Sequence, residues 1–386
     1  MLSRGVWQNI PGNKAFLSLV RFAIYKNATA PHIDPGEWQS IYDMAEQQAL
    51  SGIIFYGIQK LKKESDSDVK IPTDILFNLF FVAEQIKQRN YLLNKRCVEL
   101  TEQLQNDGFE CCILKGQGNA TMYLDPYART PGDIDIWVRP KEETRSGRAI
   151  DRINKVVSYS KKRNPQGIAN FIHVDYGDYG GVEVELHYWP TYMNSPIYNK
   201  RLRQWISSQE EYVLKNKKEL PGEEGVITVP TDEFNIIYQL SHMYKHVFAE
   251  GIGLRQMIDY YYLLRNAKDN VRSKTEDVRE TLKYLNLYKF AGAVMYVMKE
   301  VLGLDEKYLI VPIEKKRGEF LLDTILRGGN FGKYDKQGIF LGKATGLGNF
   351  LYHLERDIKI FRFFPSESIW EPVFRIYHWM WRMRYN

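Results

Sequence analysis

Three cysteines in 386 residues, Cys97, Cys111 and Cys112, are too few and too unevenly spaced for a disulfide framework, so a reducing compartment is expected. No stretch approaches the ~18 uninterrupted apolar residues that cross a bilayer, and the opening MLSRGVWQNIPGNK lacks the apolar segment of a secretory signal. Together these point to the cytoplasm. Charge of one sign is scarce as well. With 53 Lys and Arg against 47 Asp and Glu, the net +6 is mild and dispersed. It suits a polyphosphate substrate but lacks the basic stripe with interleaved aromatics that marks a nucleic-acid surface. Internal repeats and low-complexity tracts are missing too.

What is present is a large globular core: 44% of the chain is hydrophobic and 14% aromatic. The length exceeds what one core usually holds, so more than one domain is expected. Three parts are legible. Residues 1–107 read as helical, with a long amphipathic helix capped near Pro72 and Thr73 and ending near Gly108. Residues 108–230 hold the strands, a helix near 141–157 and a strand near 171–176, with Lys161, Lys162 and Arg163 in a basic loop between them. From Thr231, an N-cap, residues 231–386 read as helical. The class expected is α+β: a mixed sheet core with helices, flanked by helical N- and C-terminal regions.

The stretch CCILKGQGNATMYLDPYARTPGDIDIWV carries the chemistry. Strand side chains alternate faces, so Asp133 and Asp135 point the same way about 7 Å apart, while Ile134, Ile136 and Val138 face the other side. Two like charges side by side cost free energy unless a cation or proton offsets them. A hard divalent ion, Mg²⁺ or Mn²⁺, is the simplest partner, and it implies a substrate with phosphates. A surface strand with polar outward positions is the plain alternative. Upstream, residues 110–114 read as a buried strand, followed by a Lys115–Gly116–Gln117 turn and a helix to about Tyr123. The turn's backbone N–H groups and Lys115 can hold an anion, and Arg129 can brace a phosphate with paired hydrogen bonds.

A third acidic strand follows a Gly180–Gly181 turn, with Glu183, Glu185 and His187 on one face. One glutamate would complete a three-carboxylate cluster able to hold metal. His187 can ligate, shuttle protons or, most simply, orient a carboxylate by a hydrogen bond. Further on, His242 and His246 lie one helical turn apart, as do Arg255 and Asp259, a spacing that favours an ion pair. Zinc is a poor reading of the histidines, since no glutamate follows the first and no cysteine is near.

Leu114–Lys115–Gly116, Tyr123, Arg129, Asp133, Asp135 and Val138, then Glu185 and His187, together resemble the nucleotidyltransferase superfamily built on the DNA polymerase β type fold. Within it they are most similar to nucleotidyltransferase family 5. The resemblance is strong over residues 108–190. It implies that Asp133, Asp135 and Glu185 are the catalytic, metal-binding carboxylates. It also implies a nucleotide-binding turn at Lys115, Gly116 and Gln117, with Arg129 beside it. Where the superfamily usually has Gly-Ser or Gly-Gly, this chain has Gly116–Gln117, and the choice between Glu183 and Glu185 is favoured toward Glu185 by His187. The family also resembles this chain in its His-x-x-x-His and Leu-Arg-x-x-x-Asp helices, read here as contacts to nucleotide or acceptor or, better, as a buried polar lock.

The expected activity is metal-dependent transfer of a nucleoside monophosphate from an NTP such as ATP to an acceptor the sequence does not identify, with release of pyrophosphate. The alternative is a non-catalytic nucleotide-binding or adaptor protein that keeps the fold. The aromatic, basic segment 361–386 is expected to be a helix packed on the core, with peripheral membrane contact or docking of a partner as competing readings.

Overall fold

A computed structural model describes residues 13–64, 70–142, 149–267, 275–334 and 356–386. The chain opens with helices α1 (Asn13–Ile24), α2 (Trp38–Gln47), α3 (Ser51–Glu64) and the 34-residue α4 (Thr73–Asn106). Strand β1 (Phe109–Leu114), the short helix α5 (Gly116–Ala120), β2 (Ile134–Pro140), α6 (Ala149–Arg163), β3 (His173–Asp178) and β4 (Glu183–His187) follow. Next come α7 (Pro196–Val213) and a small hairpin of β5 (Lys217–Glu219) and β6 (Val226–Thr228). Further helices are α8 (Asp232–Ala249), α9 (Leu254–Asn266), α10 (Thr275–Tyr284), α11 (Tyr288–Tyr296), α12 (Lys315–Gly328) and α13 (Pro365–Tyr385). The fold is α+β: a small mixed sheet with helical flanks.

The sheet has the order β1-β2-β4-β3, and β2 with β4 is its parallel pair. Parallel pairing places Asp135 opposite Glu185 and Trp137 opposite His187, while antiparallel pairing places His173 opposite His187. Because cross-strand partners share a face, the polar side chains gather on one side. Ile134, Ile136, Val184 and Leu186 are buried, and their alternation with those polar residues assigns them to the other side. Helix α4 packs on β1, and α6 on β2 and β3. In α4 the buried residues Leu79, Ile86, Leu93 and Leu100, with Asn90, Cys97 and Leu104, repeat every seven positions, which gives a helix one continuous inward stripe.

On the polar face, Trp137 stacks on Phe234 at 5.8 Å, and Phe234 on Trp205 at 5.0 Å, which seats α8 and α7 against β2. Thr231 caps α8 as read from the sequence, its hydroxyl accepting from the Phe234 N–H. Some local readings need correction. Lys161, Lys162 and Arg163 form the last turn of α6 rather than a loop, where the helix dipole favours cations. The strand expected near 171–176 begins at His173, and the helix expected near 141–157 is described from Ala149 and runs on to Arg163, with 143–148 outside the described residues.

Gln48, fully buried at the end of α2, donates to the Ile325 carbonyl at 3.0 Å and accepts the Leu254 N–H at 2.9 Å, so one side chain ties α2 to the ends of α12 and α9. Gln48→Leu leaves the buried Leu254 N–H unpaired, at a cost of about 1–3 kcal/mol, while the Ile325 carbonyl keeps the Gly329 N–H. Denaturant unfolding is expected to show a lower midpoint with an unchanged slope.

Candidate active site

Lys115 ends β1 in a left-handed backbone conformation, φ 54° and ψ −135°, followed by Gly116 at φ 42°. A non-glycine residue held there stores strain, which the surroundings must over-determine. They do so through its ammonium: Nζ lies 2.8 Å from Asp135 Oδ2 and donates to His242 Nε2 at 3.1 Å. The turn is thereby tied to β2 on one side and α8 on the other.

Asp133, immediately before β2, Asp135 on β2 and Glu185 on β4 bring carboxylate oxygens within 4.8 Å of one another. Asp133 stands exposed at the mouth, and Asp135 is only 8% exposed. His187, 1% exposed, places Nε2 at 2.9 Å from Asp135 Oδ1 and 3.2 Å from Glu185 Oε2, and its Nδ1 lies 3.2 Å from the Trp189 carbonyl. Both ring nitrogens thus face acceptors. Burial resists the imidazolium, but the two carboxylates outweigh it and raise His187 to about 8. Burial likewise opposes ionisation of Asp135, yet Lys115 and His187 hold its carboxyl well below the ordinary range. Asp133 has too little of that help: the Asp135 charge, then desolvation of its carboxyl in the cleft, outweighs Lys115 and pushes it up to about 6. His173 reaches Glu185 Oε2 at 3.0 Å, and burial, reinforced by the His187 charge, lowers it to about 3.

These groups line a cleft of about 290 Å³ between the sheet and helices α8 and α9. Lys115, Gly116, Arg129, Asp133, Asp135, Glu185, His187, His242, His246, Arg255 and Asp259 all border it. Two expected residues do not. The Gln117 side chain turns into the interior and donates to Asn94 Oδ1, so only backbone is left for the turn to offer. Glu183 lies exposed at the start of β4, paired with Asp178 in the sheet and outside the carboxylate cluster.

Arg129 takes a different partner from the one its spacing invites. Its Nε and Nη2 grip the two oxygens of Asp259 at 2.8 Å each, and the Tyr123 hydroxyl adds a third bond at 2.6 Å. Asp259 therefore pairs across to Arg129 rather than along its helix to Arg255, whose Nη1 donates to the Thr130 and Pro131 carbonyls. This buried lock anchors the loop before β2 to α9. A second set lies on α8. His246 Nε2 is 2.9 Å from His242 Nε2, and His246 Nδ1 is 3.5 Å from Glu250. Burial, then the Lys245 charge, lowers His246 to about 4, and burial with the Lys115 charge holds His242 neutral. Sequence reading missed His173, Lys245 and Glu250. His173 carried a signal, since His-Val-Asp alternates with the period of the neighbouring acidic strand.

The fold and the cleft define an α+β protein with a carboxylate cluster beside a Lys-Gly turn. The chain belongs to the family of uncharacterised nucleotidyltransferases, whose family model matches residues 34–303. Among solved structures, an antigenic nucleotidyltransferase-like protein from Paracoccidioides brasiliensis is similar at 14% identity, over 52% of this chain and 93% of that chain, with a TM-score of 0.29. No curated protein matches.

Asp259→Leu strands the Arg129 guanidinium in the interior and is expected to destabilise the fold by about 3–5 kcal/mol, read by denaturant titration. His246 gives a pH dependence. Its folded pKa lies below its unfolded value, so the native state binds fewer protons between about 4 and about 6.5. Stability is expected to rise with pH through that window, and the rise should be shallower in His246→Gln when melting temperatures are compared at pH 4.5 and 7.

Proposed function

We propose that this protein is a metal-dependent nucleotidyltransferase that moves a nucleoside monophosphate from an NTP to an acceptor and releases pyrophosphate. The observation that carries this reading is the convergence of Asp133, Asp135 and Glu185 oxygens on one locus beside Lys115. The donor set is all carboxylate, and the raised Asp133 marks charge repulsion that protein cations leave uncompensated; both fit a hard divalent ion. Asp133, Asp135 and Glu185 would hold Mg²⁺ or Mn²⁺, which, when bound, would neutralise phosphate charge and make the acceptor group more acidic.

The chain's own groups then have distinct roles. His187 fixes the facing oxygens of Asp135 and Glu185. Lys115, steered by its strained backbone and by His242, supplies positive charge for the phosphates beside the Gly116 turn. In the reaction an acceptor oxygen attacks the α-phosphorus, the bond to the bridging oxygen breaks, pyrophosphate leaves, and a carboxylate of the cluster takes the acceptor proton. Arg129 supports the site by locking the loop that carries Asp133 rather than by gripping phosphate with its occupied fork.

In this reading residues 108–230 form the catalytic core, with residues 1–107 and 231–386 as helical flanking regions. The protein acts in the cytoplasm. No helix among the described residues is long and apolar enough to cross a membrane. Peripheral membrane contact is supported by α13, which leaves Ile369, Val373, Ile376, Met380 and Met383 exposed near Arg375, Arg382 and Arg384.

The test is pyrophosphate release from each of the four NTPs with Mg²⁺ or Mn²⁺ and a small-metabolite extract. Release is expected from the wild type. Asp133→Asn/Asp135→Asn should lower it by a factor on the order of 10³, as for other losses of transition-state charge stabilisation, and Asp133→Asn alone, at the exposed mouth, should abolish it with little change in melting temperature. Metal-dependent NTP binding without release from any mixture would favour the non-catalytic nucleotide-binding alternative.

A further inference from the structure

A second and larger cavity, about 770 Å³, lies between α7 and α13, away from the carboxylate cluster. Its volume falls in the ordinary range for small-molecule sites. Its walls include Phe171, Trp189 and Met193 on one side and Trp370, Val373 and Phe374 on the other. Among the described residues no carboxylate lines it. Two cations do, the exposed Lys200 and Arg203, and it is Arg203 that is held inside, its guanidinium carbon 4.7 Å from the Phe171 ring and 4.9 Å from the Trp189 ring. Its Nε and Nη2 are buried with no hydrogen-bond partner among the described residues.

A guanidinium held between two aromatic faces gains cation–π attraction, but that attraction satisfies none of its N–H groups. Burial accordingly lowers the Arg203 pKa from its ordinary value. Two buried arginines each have an acid: Arg129 has Asp259, and Arg152 has Glu210 at 2.8 Å. Arg203 has no such ion pair among the described residues, and it faces a cavity. The opposite wall adds the second half of the requirement. Val373 and Tyr377 line the cavity and are still 52% and 47% exposed, and the apolar surface continues along α13 through Ile369, Ile376 and Met380. A small hydrophilic anion would leave these walls unfilled. A neutral hydrocarbon would leave Arg203 unpaired.

We infer that the α7–α13 cavity binds an aliphatic amphiphile with an anionic head, its chain against Trp189, Trp370 and Phe374 and its phosphate or carboxylate on Arg203. The site stands apart from the transfer reaction, although Phe171 and Trp189 are each two residues from the site histidines His173 and His187. Such a ligand has two sources, a free monomer or a membrane leaflet, and both present the same chemistry.

The probe is decyl phosphate below its micelle threshold, with decyl maltoside as the neutral counterpart. Both are titrated into the full chain without metal or NTP and followed by calorimetry and tryptophan fluorescence. Wild type is expected to bind decyl phosphate saturably at one site. Arg203→Met should weaken decyl phosphate at least tenfold and leave decyl maltoside unchanged. Val373→Trp, which adds bulk at a half-exposed lining position, should weaken both. Asp133→Asn/Asp135→Asn should bind as wild type does, so the outcome is independent of whether NTP turnover is found. Vesicles containing anionic lipid separate the sources: co-sedimentation lost in Val373→Trp assigns the membrane leaflet, and monomer binding without co-sedimentation assigns the free amphiphile. Uptake that does not saturate, or decyl phosphate affinity untouched by Arg203→Met, overturns the assignment.

Discussion

Three carboxylates forced into one place are the constraint on which the rest of this structure depends. Parallel pairing of β2 with β4 sets Asp135 beside Glu185, and the approach to β2 adds Asp133 within reach of both. Like charges this close raise one another's pKa, so without compensation the cluster would hold protons rather than metal. The compensation is visible around it. Lys115 and His187 occupy the two oxygens of Asp135, and His187 also meets Glu185, beside which His173 stays neutral. Compensation is incomplete at Asp133, which leaves the cluster with negative charge its protein cations do not match.

The cations must themselves be held, and this is how the site reaches into the fold. Lys115 keeps its place at the cost of a left-handed backbone, and His242 on α8 accepts from it. His242 can serve as that acceptor only while neutral, a state that burial enforces. Helix α8 is in turn seated through the stack of Trp137, Phe234 and Trp205. A path of direct contacts therefore runs from the sheet, through the Lys-Gly turn, to the helical part of the chain. The Arg129–Asp259–Tyr123 cluster makes a second such tie through α9, and Gln48 extends it to α2 and α12.

The helical and strand segments were legible in the sequence because their signals are local: the period-two run around Asp133 and Asp135, the Gly-Gly turn before Glu183, the Thr231 cap, the seven-residue stripe of α4. The grouping of Asp133, Asp135, Glu185 and His187 could be anticipated once two strands were assumed adjacent, although their parallel order could not. Partner choice was not legible. Arg255 and Asp259 have good spacing for an ion pair on one helix, yet a bidentate fork from Arg129, removed from water, is the stronger match for a single carboxylate. Gln117 illustrates the same limit: a turn motif specifies where the backbone goes, while Asn94 on α4, distant in sequence, decides where the side chain goes. His173 escaped because its contribution depends on lying opposite His187, a register no local pattern encodes.

The cleft's remaining charge points the same way as its carboxylates. Lys245 lines the wall opposite the sheet, and burial, reinforced by the nearby Lys115 charge, lowers it to about 8. A lysine so placed is costly to keep charged in the free protein, and the same low-dielectric surroundings make its attraction to an entering anion stronger than at the surface. Arg255 is in a similar position, its pKa lowered by burial and by the Arg129 charge. The cleft thus holds acids that lack enough cations on one wall and cations that lack enough anions on the other. Under the proposed function, a metal ion carried by a polyphosphate would answer both deficits at once, whereas either ion alone would answer one and aggravate the other.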